Sequence, residues 1–103
     1  MVTVIAIYRA KPDAAQSVAE LLAEHAAASE REPGCRQFLA HQAAEDPARF
    51  FLYEVYDSEA DFAAHRQSEH FKENVETKLA PLLLEREWHA LGPALRLGPE
   101  LLG

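Results

Sequence analysis

The stretch Arg49-Phe50-Phe51-Leu52-Tyr53-Glu54-Val55-Tyr56 decides how the chain folds. Its aromatic and branched residues favour a strand. Side chains of a strand alternate between two faces, so Phe50, Leu52, Glu54 and Tyr56 share one face and Phe51, Tyr53 and Val55 the other. Both faces are apolar, which places the strand centrally in a sheet with both sides covered. Glu54 is the exception. A buried carboxylate is costly unless it keeps its proton or finds a partner.

Outward from this strand the pattern is regular. Val2 to Arg9 is a second apolar strand, with Val2, Val4, Ala6 and Tyr8 on one side and Thr3, Ile5 and Ile7 on the other. Lys11-Pro12 interrupts it. Asp13 opens a helix with Gln16 three residues later, an approximate capping box. Val18, Leu21, Leu22, His25, Ala28 and Ser29 form that helix's inner stripe. Glu32-Pro33-Gly34 stops it. Cys35 to Ala43 is a more polar strand, suited to a sheet edge. After the Arg49–Tyr56 strand, Asp57 and Ser58 cap a helix carrying Phe62, His65, Arg66 and Glu69. That helix breaks near Gln67-Ser68, where Ser68 can cap a second segment with Phe71, Val75, Leu79 and Leu82 in a stripe. Pro81 ends the segment, and Glu85 to Leu91 is the last strand.

The order βαββαβ reads as an α+β, ferredoxin-like domain: an antiparallel sheet with both helices on one side. Helices cover one sheet face only, yet two strands are apolar on both. The same face of a second copy would close the other, giving a homodimer with two sheets face to face. The chain of 103 residues reads as one domain, with a core over residues 2–91 and a tail over 92–103. Leucines 95, 97, 101 and 102 suggest that the tail packs on something.

Composition excludes several function classes. The net charge is −7, with 17 acidic against 10 basic residues dispersed along the chain. Nucleic-acid backbones and anionic membranes need clustered cations. The single cysteine, Cys35, fits a reducing compartment and an inert thiol. The first residues lack a signal-peptide pattern, and no stretch reaches the ~20 apolar residues of a membrane span. A cytoplasmic location is the expectation. There is no glycine-rich phosphate loop and no Gly-x-Ser-x-Gly elbow.

The residues with chemistry gather around Glu54: Tyr56 on the same face, then His65, His70 and Trp88. If that face meets the helices, His65 can reach Glu54, and the pair could serve as a general base near neutral pH. The same pair could equally be a structural tie between helix and sheet. His65 and His70, five apart on one helix, would point about 140° apart, and neither fits a metal pattern. His25 reads as core or pocket wall, and His41 as a solvent-facing edge residue.

The run Tyr53 to Phe71, Y-E-V-Y-D-S-E-A-D-F-A-A-H-R-Q-S-E-H-F, resembles the central signature of the antibiotic biosynthesis monooxygenase family. Glu54, Tyr56, Ala64-His65 and His70-Phe71 match, with Glu69 where proline is usual. The opening strand and the Pro33-Gly34-Cys35 turn also fit, so the likeness spans residues 2–91. The resemblance implies a dimeric α/β barrel and several chemistries. Some members oxidise quinols or phenols with molecular oxygen and no cofactor, some isomerise a small phosphorylated signalling metabolite, and some degrade haem. The haem branch carries an Asn on the first strand, a Trp where His65 stands and a His where Val75 stands, so it is disfavoured here. For a cofactor-free monooxygenase the resemblance implies His65 and Glu54 as catalytic residues and Tyr56, His70, Phe71 and Trp88 as substrate-binding residues. Cofactor and metal are expected to be none. The partners are then a small aromatic substrate, molecular oxygen and a second copy of the chain. A proton-transfer enzyme, or a stress-related binding dimer without catalysis, are the alternatives.

Overall fold

A computed structural model describes residues 1–95. Strand β1 is Val2–Ala10, helix α1 Ala15–Glu30, strand β2 Cys35–Gln42, strand β3 Arg49–Tyr56 and helix α2 Glu59–Gln67. A single turn, α3, covers Glu69–Phe71 and runs into a π-helical segment, Lys72–Leu79, and a 3-10 turn, Ala80–Leu82. Strand β4 is Leu83–Leu91. The sheet is antiparallel throughout, in the order β2-β3-β1-β4. This is the α+β, ferredoxin-like arrangement expected from the pattern, with β3 central and the more polar β2 at an edge.

The core lies between the sheet and the helices. Ala6, Tyr8, Ala10, Phe38, Phe50 and Leu52 from the sheet meet Val18 and Leu22 of α1, and Phe71, Val75 and Leu79 behind α2. The four-residue spacing of Phe71, Val75 and Leu79 keeps all three buried through the widened π-helical turns. Among the described residues, no helix lies over the opposite sheet face. Tyr53 and Leu39 there are 37% and 38% exposed, and Ile5, Ile7 and Phe51 are half-buried.

The start of α1 departs from expectation. Ala14 is its N-cap without a side-chain bond, and Asp13 sits in the preceding turn at φ 68°. Asp is among the few residues that tolerate this left-handed conformation, so it shapes the turn instead of capping the helix. At α2 the cap is as expected: Ser58 Oγ accepts from Asp61 N at 3.2 Å and donates to the Asp61 carboxylate at 2.8 Å.

The break between α2 and α3 follows from Ser68. Its extended backbone, φ −67° and ψ 154°, ends one helix. Its hydroxyl donates back to the His65 carbonyl at 2.7 Å and accepts from Phe71 N at 3.2 Å. One side chain thus finishes α2 and caps α3.

Gly34 ties the α1–β2 turn to the start of α2. Its carbonyl accepts from Asp57 N at 2.9 Å, and a Cβ at this position would overlap the Asp61 side chain. Gly34→Ala should displace Asp61 from its Ser58 partner and cost about 1–3 kcal/mol, from a lost cap and overpacking together. Chemical denaturation of the variant would show this as a lower midpoint at unchanged slope. A midpoint equal to that of the parent would mean that the turn relaxes freely.

Candidate active site

Glu54 faces the helical layer and is 5% exposed. Its direct hydrogen-bond partner is Tyr56, whose hydroxyl donates to Oε1 at 2.6 Å. His65 stands next to it: its Nε2 is 4.0 Å from the same oxygen. The expected histidine–carboxylate bond is therefore replaced by a tyrosine one. The reason is local. Residues two apart on a strand share a face, and the phenol is long enough to lie along the strand to the carboxylate.

His65 has turned its other nitrogen to Glu32, a residue whose place in the sequence marks only a helix stop. Its Nδ1 lies 2.9 Å from Glu32 Oε2 and 3.2 Å from Oε1. A carboxylate only accepts, so Nδ1 carries the hydrogen and Nε2 presents its lone pair toward Glu54. His70 Nε2 approaches the same Glu32 Oε2 at 2.5 Å, off the line of its N–H. The Ser68 break brings this about: with two helical segments, the imidazoles of His65 and His70 converge, their ring centroids 5.9 Å apart. The divergence expected of one continuous helix is thereby corrected. Glu32, His65 and His70 have the donor set of a two-histidine, one-carboxylate centre, with ligand atoms within 4.8 Å of one another. Five-residue spacing conceals that grouping in the sequence.

The environment sets the protonation states. Burial pushes the Glu54 carboxyl up to about 7; the Tyr56 hydrogen bond opposes this, Glu32 adds to it and Arg66 again opposes it. Burial lowers His65, while its hydrogen bond to Glu32 raises it. Burial drives the Tyr56 phenol far above its ordinary value, with the Glu54 charge second. His25, edge-on to Phe38 and tilted against His65 and His70, is pushed down to about 3, chiefly by burial. The buried histidines His25 and His65 are thus neutral near pH 7, and Glu54 is poised between acid and base.

A hollow of about 30 Å³ opens beside Glu54, lined by Val4, Ala6, Tyr8, Glu54, Phe62, His65, Arg66, Phe71, Arg86 and Trp88. Of the residues expected there, Glu54, His65, Phe71 and Trp88 are on the wall. Tyr56 is fully buried behind Glu54, and His70 faces Glu32, so neither lines the hollow. Tyr8, Phe62, Arg66 and Arg86 join instead. The strand register explains two of the wall residues: Ala6 pairs with Trp88 and Tyr8 with Arg86, so Arg86 and Trp88 project from the same face as β1's inner residues. Arg66 lies over the Trp88 ring at 4.8 Å. Among the described residues, neither Arg66 nor Arg86 is paired with a carboxylate, whereas Arg36 is 3.5 Å from Asp57.

A profile of the antibiotic biosynthesis monooxygenase family matches residues 1–77. The chain belongs to this family. No curated protein sequence matches it. Among solved structures, it is similar to a Nitrosomonas europaea protein provisionally named an antibiotic biosynthesis monooxygenase, at 33% identity and TM-score 0.84 over 90% of this chain and 98% of that one. It is also similar to PA3566 of Pseudomonas aeruginosa, at 28% identity and TM-score 0.84 over 90% and 93%. Rv0793 of Mycobacterium tuberculosis is similar at 26% identity and TM-score 0.84 over 94% and 98%. No helix among the described residues of this family member is long and apolar enough to cross a membrane.

Proposed function

We propose that the protein is a cofactor-independent monooxygenase of a phenolic or hydroquinone-like aromatic. One observation carries the reading: a carboxyl poised at about 7 stands at the inner end of a half-apolar hollow in a member of this family. A general base works best with a pKa near the operating pH. Glu54 takes the phenolic proton, with Tyr56 holding the carboxylate and His65 flanking it. The electron-rich anion passes one electron to oxygen, the two radicals join as a peroxide anion, Glu54 returns its proton to that anion, and the O–O bond breaks as water leaves with the hydrogen of the oxidised carbon. One oxygen atom enters the substrate in place of two hydrogens, and the other departs as water. The substrate supplies the electrons; the protein supplies deprotonation, positioning and partial exclusion of water.

The hollow is small. A single water needs roughly 10–15 Å³ by the same kind of measure, so only the reacting edge of a ring enters. The remainder lies outward along the exposed Trp88, Arg66 and Arg86. Oxygen uptake by the purified protein, in chelator, with a panel of hydroquinones and phenols tests the reading. Absence of uptake above the uncatalysed rate across the panel would refute it.

A second reading, proton transfer on a small anionic metabolite, is favoured by the exposed Arg66 and Arg86 in the hollow's lining. Inorganic phosphate competing with substrate would support it; oxygen uptake unaffected by phosphate would support the first.

The sheet face bearing Ile5, Ile7, Leu39, Phe51 and Tyr53 supports a homodimer closed sheet to sheet. These residues are paired neighbours in the register, with Ile5 beside Tyr53 and Ile7 beside Phe51, and so form one apolar patch. Ile7→Glu should convert a dimer to a monomer in sedimentation velocity. A parent protein that sediments as a monomer at micromolar concentration would end the idea.

A further inference from the structure

Phenol oxidation at Glu54 leaves the cluster on the other side of His65 without a task. We propose that Glu32, His65 and His70 bind a divalent transition-metal ion of the zinc class, one per chain. Three donor atoms converge there. His65 Nδ1 is 2.9 Å from Glu32 Oε2, His70 Nε2 is 2.5 Å from the same oxygen, and the set lies within 4.8 Å. Zinc holds imidazole nitrogen and carboxylate oxygen at about 2.0–2.2 Å, which sets tetrahedral donors about 3.4 Å apart. Withdrawing the carboxylate from His70 by about 1 Å meets that spacing. One atom points to a cation in particular. His70 Nε2 is buried and makes no hydrogen bond, although a carboxylate oxygen lies beside it. A buried nitrogen without a partner is costly, and an ion satisfies it by taking lone pairs from all three side chains at once.

The scaffold holds each ligand in place. Glu32 sits in a turn fixed at both ends, its N–H on the Ser29 carbonyl at 3.1 Å and its carbonyl on Cys35 N at 3.1 Å. His65 comes from α2 and His70 from α3, and the Ser68 hydroxyl joins the two segments. Phe38, Phe71 and the buried His25 wall the imidazoles, with ring centroids 5.2–5.6 Å away. Such an apolar shell limits competition from water. Entry is from the His70 side: the His65 side chain is 2% exposed, Glu32 17% and His70 27%. Three protein ligands leave a fourth position for water on that side. Imidazole and carboxylate together suit zinc and its first-row neighbours, whereas magnesium and calcium take oxygen ligands. When the ion takes Nδ1, the hydrogen of the neutral His65 ring moves to Nε2, so the ring releases no net proton. That nitrogen faces Glu54 Oε1 at 4.0 Å, the side on which a metal-bound histidine commonly meets a carboxylate. Two features of the sequence then have a reason: the Ser68 break that turns His70 inward, and an acidic residue in the Glu32-Pro33-Gly34 turn.

The test titrates the tag-free full chain, stripped with chelator, with zinc against a chromophoric competitor. One zinc per chain should bind. Glu32→Gln keeps an acceptor for His65 Nδ1–H, and His70 is partly exposed, so both variants should fold; each should weaken binding at least about tenfold. His41→Ala and His89→Ala, at exposed histidines away from the cluster, should bind as the parent does. Nitrogen-15 imidazole spectra should show the His65 hydrogen on Nδ1 without zinc and on Nε2 with it. No zinc bound at a hundred micromolar would overturn the site. So would parental affinity in both Glu32→Gln and His70→Ala, binding lost in His41→Ala or His89→Ala, or His65 resonances that zinc leaves unmoved. Binding is read without substrate, so the site stands or falls independently of phenol oxidation. A protein that binds zinc and takes up oxygen only when metal-loaded would defeat the cofactor-independent reading and keep the site; uptake in chelator by a chain that binds no zinc would do the reverse.

Discussion

Glu54→Gln is expected to lower kcat for a phenolic substrate by about 10²–10⁴-fold, the usual contribution of a positioned base. Gln is nearly isosteric, and its carbonyl can still accept from Tyr56, so the 2.6 Å bond that fixes the side chain can be kept. What is lost is the ability to take a proton. The loss should fall on kcat and kcat/KM together, because the interaction removed is made as the proton transfers and not on binding. Tyr56→Phe offers the complementary case. It removes a hydrogen bond that favours the carboxylate form, so the Glu54 pKa should rise further and the rising limb of the kcat/KM profile should move to higher pH. A Glu54→Gln enzyme with parental kcat at saturating substrate would take Glu54 out of the mechanism, whatever its burial.

Much of the fold, and part of this site, can be read from residue order. Alternation along Arg49–Tyr56 puts Glu54 and Tyr56 on one face, and Ser58 and Ser68 mark the two caps, because these are local rules acting over two or three residues. The partners of Glu54 and His65 are less legible. Tyr56 is within local reach of Glu54, but alternation alone does not distinguish a hydroxyl bound to its neighbour two residues away from one that lines the hollow. Glu32 lies 33 residues before His65, in a turn whose Pro and Gly explain it sufficiently as a helix stop. His65 and His70 converge only because the helix axis changes between them; spacing on a single helix gives the opposite answer. Arg86 and Tyr8 come together through the β1–β4 register, which no pattern within either strand encodes. Sequence periodicity reports which way a side chain faces, whereas the partner it finds there depends on how distant segments dock.

The largest stability effect expected of the buried carboxyl is a pH dependence that the native chain partly conceals. Glu54 is raised from 4.5 to about 7 and His25 lowered from 6.5 to about 3, each chiefly by burial. Between about pH 4.5 and 7 the unfolded chain has released the Glu54 proton and the folded one retains it. The folded state then binds more protons, so its stability falls as pH rises through that window. For His25 the unfolded chain gains a proton between about pH 6.5 and 3 while the folded ring stays neutral, so stability falls as pH drops. The two slopes oppose each other where the windows overlap, and the parent should show a broad plateau near pH 4.5–6.5. Glu54→Gln removes one slope. The difference in unfolding free energy, variant minus parent, should therefore move in the variant's favour by about 3 kcal/mol between about pH 4 and pH 8, because a pKa displaced by one corresponds to about 1.4 kcal/mol. Urea titrations of both proteins at the two pH values would measure it, and contributions common to both cancel in the subtraction. A difference that does not change with pH would mean that the Glu54 carboxyl ionises as it would in water, and the poised base would go with it.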